Sequence, residues 1–253
     1  MKYVINKIKY KFDIWNYHQL LIDHHKKIII TLFPKCMCET TIRYIVSHYS
    51  NNTNIWEAAK EYTILYQKIH LYKDYTKIAI IRNPIKRIVS AYVSKFIYPY
   101  SHNIFIPQAK EIINHYTKNF NDGISFNQFI NYITSYNVNK LNHHWKPYSL
   151  MFKKKHFDRF FTVSNNKQLE LFLQQLGYFK TLNDVKNNKS FMKKIDIDFK
   201  VDNFTFKDFK NQFDVFNETP KYNYFITDEN KQKIEALYSS DLALFNQVEK
   251  IRL

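Results

Sequence analysis

Two segments of the chain share one pattern, in which a run of apolar residues leads through a proline-containing turn into helical spacing. Residues 28–33 are apolar except for Thr31 and end at Pro34, which is typical of a strand buried on both faces. Residues 78–81 form a second apolar run, and Pro84 favours the first turn of the helix that follows. Each segment therefore predicts a strand, a short loop and a helix.

The rest of the pattern predicts further helices and one further strand. Apolar residues at three- and four-residue spacing indicate a helix over 55–72, and residues 160–163 predict a strand. We expect additional helices near 108–117, 125–135, 166–176 and 228–250. Because parallel strands need crossover connections, the repeated strand–helix order favours a three-layer α/β fold with a short central parallel sheet flanked by helices.

The sequence shows no internal boundary between domains. It has no repeat and no Gly- or Ser-rich linker, so residues 1–253 are predicted to form one domain. The stretch 181–215 is rich in Asn, Lys, Asp and Phe and lacks a clear period. We interpret this stretch as an insertion or a lid.

The charge of the chain favours an anionic partner. Its 38 Lys and Arg residues outnumber 22 Asp and Glu residues, which gives a formal net charge of +16. Nucleotides, acidic glycans, nucleic acids and membrane surfaces all fit this charge. Compositional drift is the alternative explanation, because Lys, Asn, Ile, Tyr and Phe are all abundant while Gly occurs only twice. The aromatic content of 18% is too high for a disordered protein.

The two cysteines and the N-terminal sequence indicate the cellular compartment of the protein. Cys36 and Cys38 lie too close in sequence for a mutual disulfide, and they lack the second ligand pair of a zinc site. We therefore expect no metal and a reducing compartment, with thiol pKa values lowered by a helix N-terminus. The apolar run at 28–33 is too short to span a bilayer, and the N-terminus lacks a signal-peptide core. We expect a cytoplasmic protein whose Lys-rich N-terminus is compatible with weak contact with a membrane surface.

The loop after the first predicted strand has the composition of an anion site. Residues 34–41 read Pro-Lys-Cys-Met-Cys-Glu-Thr-Thr. The free N–H groups and the dipole of a helix N-terminus attract phosphate or sulfate, and Lys35 adds a full positive charge. The loop is not Gly-x-x-x-x-Gly-Lys, because the lysine precedes the turn and Gly123 and Gly177 lie elsewhere. A plain strand-to-helix turn is the alternative interpretation.

The second predicted strand is also followed by anion-binding residue types. Arg82 stands at the strand end and Ser90 lies two turns into the following helix. Arginine offers a planar fork of donors and serine a hydroxyl, which together suit a dianion. Two anion sites at the ends of neighbouring strands fit a ligand with phosphates at both ends of a nucleoside. In the alternative interpretation, Arg82 and Arg87 are solvated charges.

These motifs resemble the donor-binding elements of sulfotransferases, specifically the carbohydrate sulfotransferases of the Golgi and their bacterial relatives. The family pattern is Pro-Lys followed by small residues and Thr or Ser, and then Arg-Asp-Pro…Arg-Leu-Val-Ser-Ala-Tyr…Lys-Phe. This chain keeps the spacing from Arg82 to Ser90 and the following Ala-Tyr. Weaker matches at 142–147, 157–176, 217–221, 224–229 and 237–245 extend the resemblance over most of the chain.

The resemblance implies a P-loop-like fold and a nucleotide donor, 3′-phosphoadenosine-5′-phosphosulfate (PAPS), which leaves as 3′,5′-bisphosphoadenosine. It implies that Arg82 and Ser90 hold the 3′-phosphate and that Thr219 and Lys221 close over the nucleotide. The residues that it assigns to the 5′-phosphosulfate are Lys35, Cys36, Met37, Cys38, Glu39 and Thr40.

Three residues depart from the family pattern. Met37 stands where the family usually has Gly or Ala, Glu39 where it has Thr or Ser, and Asn83 where it has Asp. Because the Glu39 carboxylate would repel the donor, we expect it to turn sideways toward Lys35 and Arg43.

The resemblance also implies a base that takes the proton of the acceptor, a carbohydrate hydroxyl. His144 is the first candidate because a neutral imidazole accepts a proton near neutral pH, although it could also be a core histidine beside Trp145. His70 is the alternative base, and Glu57 and Glu61 could also serve. A phosphoryl-transfer enzyme and a non-catalytic binder of polyanions or nucleic acid remain the rival functions, and we expect no nucleic-acid partner.

Overall fold

The computed structural model describes residues 19–49, 55–99, 105–185, 193–215 and 217–251. Two compact units are present. The first comprises the described residues of Met1–Arg82, Tyr148–Asn187 and Ala243–Leu253, and the second those of Asn83–Pro147 and Asn188–Leu242. The basic N-terminus and residues 186–192 of the predicted lid lie outside the described residues. The single domain, the lid and the membrane contact stay predictions.

The described chain contains both strands and helices along its length. The strands are β1 (Gln19–Asp23), β2 (Ile28–Thr31), β3 (Thr63–Leu65), β4 (Thr76–Ile81), β5 (Arg159–Thr162), β6 (Lys193–Ile195) and β7 (Glu218–Pro220). The helices are α1 (Cys38–Val46), α2 (Ile55–Ala58), α3 (Pro84–Tyr92), α4 (Pro107–Tyr116), α5 (Phe126–Ser135), α6 (Asn166–Gln175), α7 (Leu182–Val185), α8 (Phe206–Gln212), α9 (Asp228–Leu237) and α10 (Ser239–Lys250).

A five-stranded mixed sheet forms the centre of the first unit. Its strand order is β3-β1-β2-β4-β5. Strands β2, β4 and β5 are parallel, with Ile30 opposite Ile78 and Ile78 opposite Arg159. Strand β1 runs antiparallel to both β2 and β3. The predicted α/β fold with parallel central strands is confirmed, and an antiparallel pair extends the sheet at one edge.

Alternating side chains of the central strands pack on opposite faces of this sheet. On one face, Ile30 and Ile78 lie in a cluster with buried side chains of α1 and α6. On the other face, Ile29 and Ile81 lie in a cluster with Tyr148 and part of α10. Both faces are covered, which explains the continuous apolar runs at residues 28–30 of β2 and 78–81 of β4.

The second unit has a helical core rich in aromatic residues. Tyr92 of α3 contacts the rings of Phe126, Phe129 and Phe225. Its hydroxyl donates to the carbonyl of Ile124 over 2.8 Å. Strands β6 and β7 form a separate two-stranded parallel sheet in this unit.

The predicted helix over 55–72 is wrong in its middle part. Helix α2 continues as a 3₁₀ turn at Ala59–Tyr62, and the chain then forms β3 and a second 3₁₀ turn at Tyr66–Leu71. Strand β3 pairs with β1, with Gln19 opposite Leu65. The backbone groups of β1 need partners on that side, and this tertiary demand overrides the helical spacing.

The other predicted elements agree with the structure, with small differences. The predicted helix over 228–250 consists of α9 and α10, which meet at Tyr238, whose φ of −110° ends the first helix. After α3, the chain continues as a π-helical segment at Val93–Ile97. Within the described residues, no helix is both long and apolar enough to cross a bilayer.

Candidate functional site

The loop between β2 and α1 has an unusual backbone. Lys35 has φ 66° and Met37 has φ 62°, so two non-glycine residues adopt the left-handed conformation. Cys36 lies between them, and its N–H donates to the carbonyl of Phe33 over 3.1 Å. Residues of alternating φ sign turn N–H groups toward one side of a loop and form a concavity for an anion. The loop therefore has the backbone geometry of an anion site without any glycine.

The first turn of α1 contributes further donors to this loop. The first intrahelical bond runs from the Thr41 N–H to the Met37 carbonyl over 2.8 Å, and the Met37 side chain does not cap the helix. Helix geometry leaves the N–H groups of Cys38, Glu39 and Thr40 without an intrahelical acceptor. These groups and the helix dipole are suited to bind a phosphate or sulfate group.

Arg82, which follows β4, lies against this loop in the first unit. Its Nη1 donates to the carbonyl oxygen of Lys35 over 3.1 Å. Lys35 and Arg82 are both half-buried. The structure thus brings the Arg82 guanidinium to the backbone of Lys35, although the sequence assigned the two residues to separate motifs.

Tyr148 fixes the two segments relative to each other and was not predicted to take part in the site. Its fully buried hydroxyl lies 2.9 Å from Cys36 Sγ and accepts from the Arg82 N–H over 3.2 Å. The same hydroxyl donates to the Arg82 carbonyl over 3.2 Å. No local pattern in the sequence predicts this role, because Tyr148 lies 66 residues from Arg82 and 112 residues from Cys36 along the chain.

Glu39 is turned toward Arg43, as the sequence analysis expected. Its Oε1 accepts from Arg43 Nε over 3.1 Å and from Nη2 over 2.7 Å. The pair is one helical turn apart, and the Glu39 side chain is 45% exposed. The carboxylate thus has a cationic partner on the surface of α1.

The two cysteines of the loop are free thiols. Burial raises the pKa of the Cys38 thiol, and this effect exceeds the lowering by the Lys35 cation and by nearby backbone N–H groups. The expectation of a lowered thiol pKa is therefore wrong for Cys38, because desolvation outweighs the favourable charges. Cys36 is buried against Tyr148.

Helix α3 in the second unit begins as the sequence predicts. Pro84 occupies its first turn, and Asn83 Oδ1 accepts from the Lys86 N–H over 3.2 Å, so Asn83 caps the helix. Ser90 is half-buried on this helix, and among the described residues its hydroxyl has no hydrogen-bond partner. A serine in this state retains its hydroxyl for a ligand.

Arg87 is a fully buried cation, so its interpretation as a solvated charge is wrong. Its Nη1 donates to the Lys146 carbonyl over 2.8 Å and its Nη2 to the His143 carbonyl over 2.9 Å. The sequence does contain a signal, since Pro84 and Ala91, three residues before and four after Arg87, share its helix face and are both apolar and buried. Arg87 holds the segment 142–147 within the second unit.

That segment contains His144, the first candidate base. The Asn142 Oδ1 atom lies 3.0 Å from the His144 backbone N–H and 2.7 Å from its Nδ1. Because this oxygen only accepts, Nδ1 carries the proton and Nε2 carries the lone pair. The half-buried ring therefore has the tautomer that a base acting through Nε2 requires.

The alternative bases all lie in the first unit. His70 is exposed on the 3₁₀ turn at Tyr66–Leu71, and its Nδ1 lies 2.7 Å from the Gln67 carbonyl. Glu57 is exposed and pairs with Lys60 over 2.6 Å, and Glu61 is also exposed. The Gln67 carbonyl gives His70 the same tautomer as His144, and the two rings differ in exposure, since His70 is exposed and His144 is half-buried.

The two residues predicted to close over a nucleotide lie close together at β7 in the second unit. Thr219 is 2% exposed, and its buried Oγ1 has no hydrogen-bond partner among the described residues. Lys221 pairs with Asp196 over 2.5 Å, and this contact raises the pKa of the lysine. An anion would have to compete with Asp196 for the ammonium group.

No group of three or more His, Cys, Asp or Glu side chains in the described ranges is arranged to hold a metal ion. The loop after β2 instead offers backbone N–H groups, an ammonium and a guanidinium. A central parallel sheet with such a loop at a strand end defines a class of α/β proteins that bind phosphate or sulfate groups at a helix N-terminus.

A comparison with protein-family models identifies the family within that class. The model described as "Sulfotransferase family" matches residues 18–246. The chain therefore belongs to the sulfotransferase family, whose members are transferases of the sulfuryl group. Comparisons with curated proteins and with solved structures returned no match. The resemblance stated from the sequence motifs is confirmed at the level of the family.

Proposed function

We propose that the protein transfers the sulfuryl group of PAPS to a hydroxyl of a carbohydrate. The observation that carries this proposal is the loop at 33–38, in which Lys35 and Met37 are left-handed and the Arg82 guanidinium donates to the Lys35 carbonyl. Family membership supports sulfuryl transfer in general. The donor and the acceptor are the proposed details.

In this proposal, the 5′-phosphosulfate binds the N–H groups at the start of α1 and the ammonium group of Lys35. Arg82 and Ser90 are the proposed ligands of the 3′-phosphate, and Thr219 and Lys221 are proposed to contact the nucleotide. A guanidinium and a hydroxyl suit a phosphate dianion. The half-buried state of Lys35 and Arg82 supports these roles, because partial desolvation strengthens the attraction between a cation and an anion.

The reaction would proceed by direct displacement at sulfur. The acceptor oxygen forms a bond to sulfur while the bond from sulfur to the 5′-phosphate oxygen breaks. The hydroxyl proton passes to the base, and the electron pair of the broken bond stays on the phosphate of 3′,5′-bisphosphoadenosine. Lys35 stabilises the charge that gathers on that oxygen, so positioning and electrostatics supply the catalysis.

His144 is the proposed base. Its assignment rests on the contacts that place a proton on Nδ1 and a lone pair on Nε2. The two bonds from Arg87 to the neighbouring carbonyls support a fixed position for the ring. A general base needs such positioning, because proton transfer occurs only at hydrogen-bond distance.

The proposal that the acceptor is a carbohydrate draws on the resemblance and on the charge of +16. Sulfated or uronic-acid-containing glycans are anionic, and a basic protein attracts them at long range.

A transfer assay with PAPS labelled in its sulfate group, run over a panel of oligosaccharides, tests this function. We expect transfer to at least one oligosaccharide, loss of turnover in His144→Ala with donor affinity retained, and a smaller effect in His70→Ala. If His70→Ala loses turnover and His144→Ala does not, His70 rather than His144 is the base. Equal thermal stabilisation of the protein by 3′,5′-bisphosphoadenosine, ATP and inorganic polyphosphate, without transfer, would favour a non-catalytic polyanion binder.

A further inference from the structure

The second unit contains a groove that none of the proposed donor or base residues lines. Helix α4, the 3₁₀ turn at Phe120–Asp122 and helix α8 form its walls, and its volume is about 960 Å³. Ligand sites in proteins commonly enclose about 300 to 1,000 Å³, so the groove is large enough for several sugar rings.

The floor of the groove is apolar. The rings of Phe105 and Phe120 pack edge to face, with centroids 5.0 Å apart and planes at 73°. Phe206 and Val215 are buried beside them. Such a floor contacts the C–H face of a sugar ring without competing for its hydroxyls.

The rim of the groove is basic and rich in amides. Lys110 and Asn114 stand one turn apart on α4, and Lys210 and Asn211 are neighbours on α8. All four side chains are exposed, and within the described residues none of them has a hydrogen-bond or ion-pair partner. Amide groups bind hydroxyls in both directions, as donor and as acceptor.

The one carboxylate among the described lining residues has a cationic neighbour. Asp122 lies 3.9 Å from Lys207 Nζ and accepts from Asn119 Nδ2 over 2.9 Å. Lys110 and Lys210 therefore leave the groove with a net positive charge that faces the ligand. Cations on both walls suit a ligand that carries a carboxylate or sulfate at intervals.

We propose that this groove binds an acidic oligosaccharide segment of the acceptor, with uronic-acid or sulfated sugars at intervals. Identifying the segment as acceptor rests on the proposed function. The groove chemistry favours a saccharide over single-stranded nucleic acid. Nucleic-acid sites use many Lys and Arg contacts to phosphates. Among the described residues that line the groove, none is an arginine, and Lys110 and Lys210 are the cations without an ion-pair partner.

Calorimetry with a hexasaccharide of alternating uronic acid and N-acetylhexosamine tests the groove without any donor. We expect Lys110→Gln/Lys210→Gln to weaken binding about tenfold or more, a loss of about 1.4 kcal/mol shared by two charge-assisted contacts. The control Lys155→Gln/Lys167→Gln removes the same charge from exposed residues of the first unit and should change affinity less than about twofold. Asn114→Ala/Asn211→Ala should weaken binding of both the hexasaccharide and its carboxyl-reduced neutral form.

Three outcomes would overturn the proposal: no binding of the hexasaccharide, equal weakening by the groove and control variants, or tighter binding of a dT12 oligonucleotide that the groove variants abolish. Binding of 3′,5′-bisphosphoadenosine should be unchanged in every variant, which also shows that each is folded. If the parent protein binds the hexasaccharide but not 3′,5′-bisphosphoadenosine, the proposed sulfotransferase function is rejected. The proposal that the groove binds a saccharide would then still stand.

Discussion

Arg43 should protect residues 34–41, the proposed donor loop, from the carboxylate of Glu39. In the structure, both bonds from the Arg43 guanidinium hold Glu39 Oε1 on the outer surface of α1. Replacement by glutamine in Arg43→Gln removes the cation. The first-turn N–H groups of the helix then become the best remaining partners of the Glu39 carboxylate, and these are the groups proposed to bind the phosphosulfate.

The size of the effect follows from Coulomb's law and from exposure. Two unit charges about 5 Å apart repel by about 3 kcal/mol at an effective dielectric constant near 20. Because the Glu39 side chain is 45% exposed, water screens much of this repulsion. We expect Arg43→Gln to weaken binding of 3′,5′-bisphosphoadenosine about tenfold, or by about 1.4 kcal/mol.

Titration calorimetry at low salt, repeated in 1 M salt, measures this effect. Glu39→Gln/Arg43→Gln should restore most of the lost affinity, and 1 M salt should reduce the loss in the single variant. The control Lys233→Gln breaks another exposed pair at the same helical spacing, with Glu229, and should leave affinity unchanged. The reasoning would be refuted if Arg43→Gln bound the nucleotide as well as the parent, or if the double variant stayed as weak as the single one.

Substitutions at three further residues test the fold of the two units. Because Met37 has a left-handed backbone, the Met37→Gly variant should be more stable than the Met37→Ala variant by about 1 kcal/mol in urea unfolding. This order is the reverse of the helix propensities of the two residues. Equal stability of the two variants would contradict the left-handed conformation. Arg87→Ala should lower the free energy of unfolding by about 3 kcal/mol, because a buried side chain and two hydrogen bonds to backbone carbonyls are lost. An unchanged thermal unfolding temperature would argue against the buried position of Arg87. Buried Asp23 accepts from the hydroxyls of Tyr49 and Tyr178 and from two backbone N–H groups; burial alone would raise its pKa, but these bonds together lower it. The ionised Asp23 therefore stabilises the fold above the unfolded pKa near 4, and this stabilisation is lost as pH falls through the lower folded pKa. Asp23→Asn should lower the free energy of unfolding by about 2 kcal/mol at pH 7 and by less in acid. A difference in unfolding free energy between parent and variant that stays constant from pH 7 to pH 2.5 would contradict this account.

The parts of the fold that the sequence predicts are those whose signals are local. Strands β2 and β4 are short apolar runs buried on both faces, and Pro34 and Pro84 mark their ends, so both strand–loop–helix segments could be placed before the structure was known. Strand β3 could not, because its three residues pair with β1 more than 40 positions away. Its conformation depends on that partner rather than on its own spacing.

The candidate site divides in the same way. The types and spacing of Lys35, Arg82 and Ser90 indicate anion binding without structural knowledge. The left-handed conformation of Met37 could not be predicted from the residue type, because methionine seldom adopts it. The contacts of the Tyr148 hydroxyl arise only when the first unit folds.

The affinity of the protein for 3′,5′-bisphosphoadenosine is the most direct test of the donor loop, measured by calorimetry for the parent, Arg82→Ala and Arg159→Ala. Arg159 is an exposed arginine of the same unit, so its replacement removes equal charge outside the loop. We predict that Arg82→Ala weakens binding about thirtyfold or more, since loss of one partner of a desolvated charged pair costs at least about 2 kcal/mol, and that Arg159→Ala binds as the parent does. Absence of binding by the parent, or equally small effects of both substitutions, would contradict the assignment of this loop to the sulfate donor.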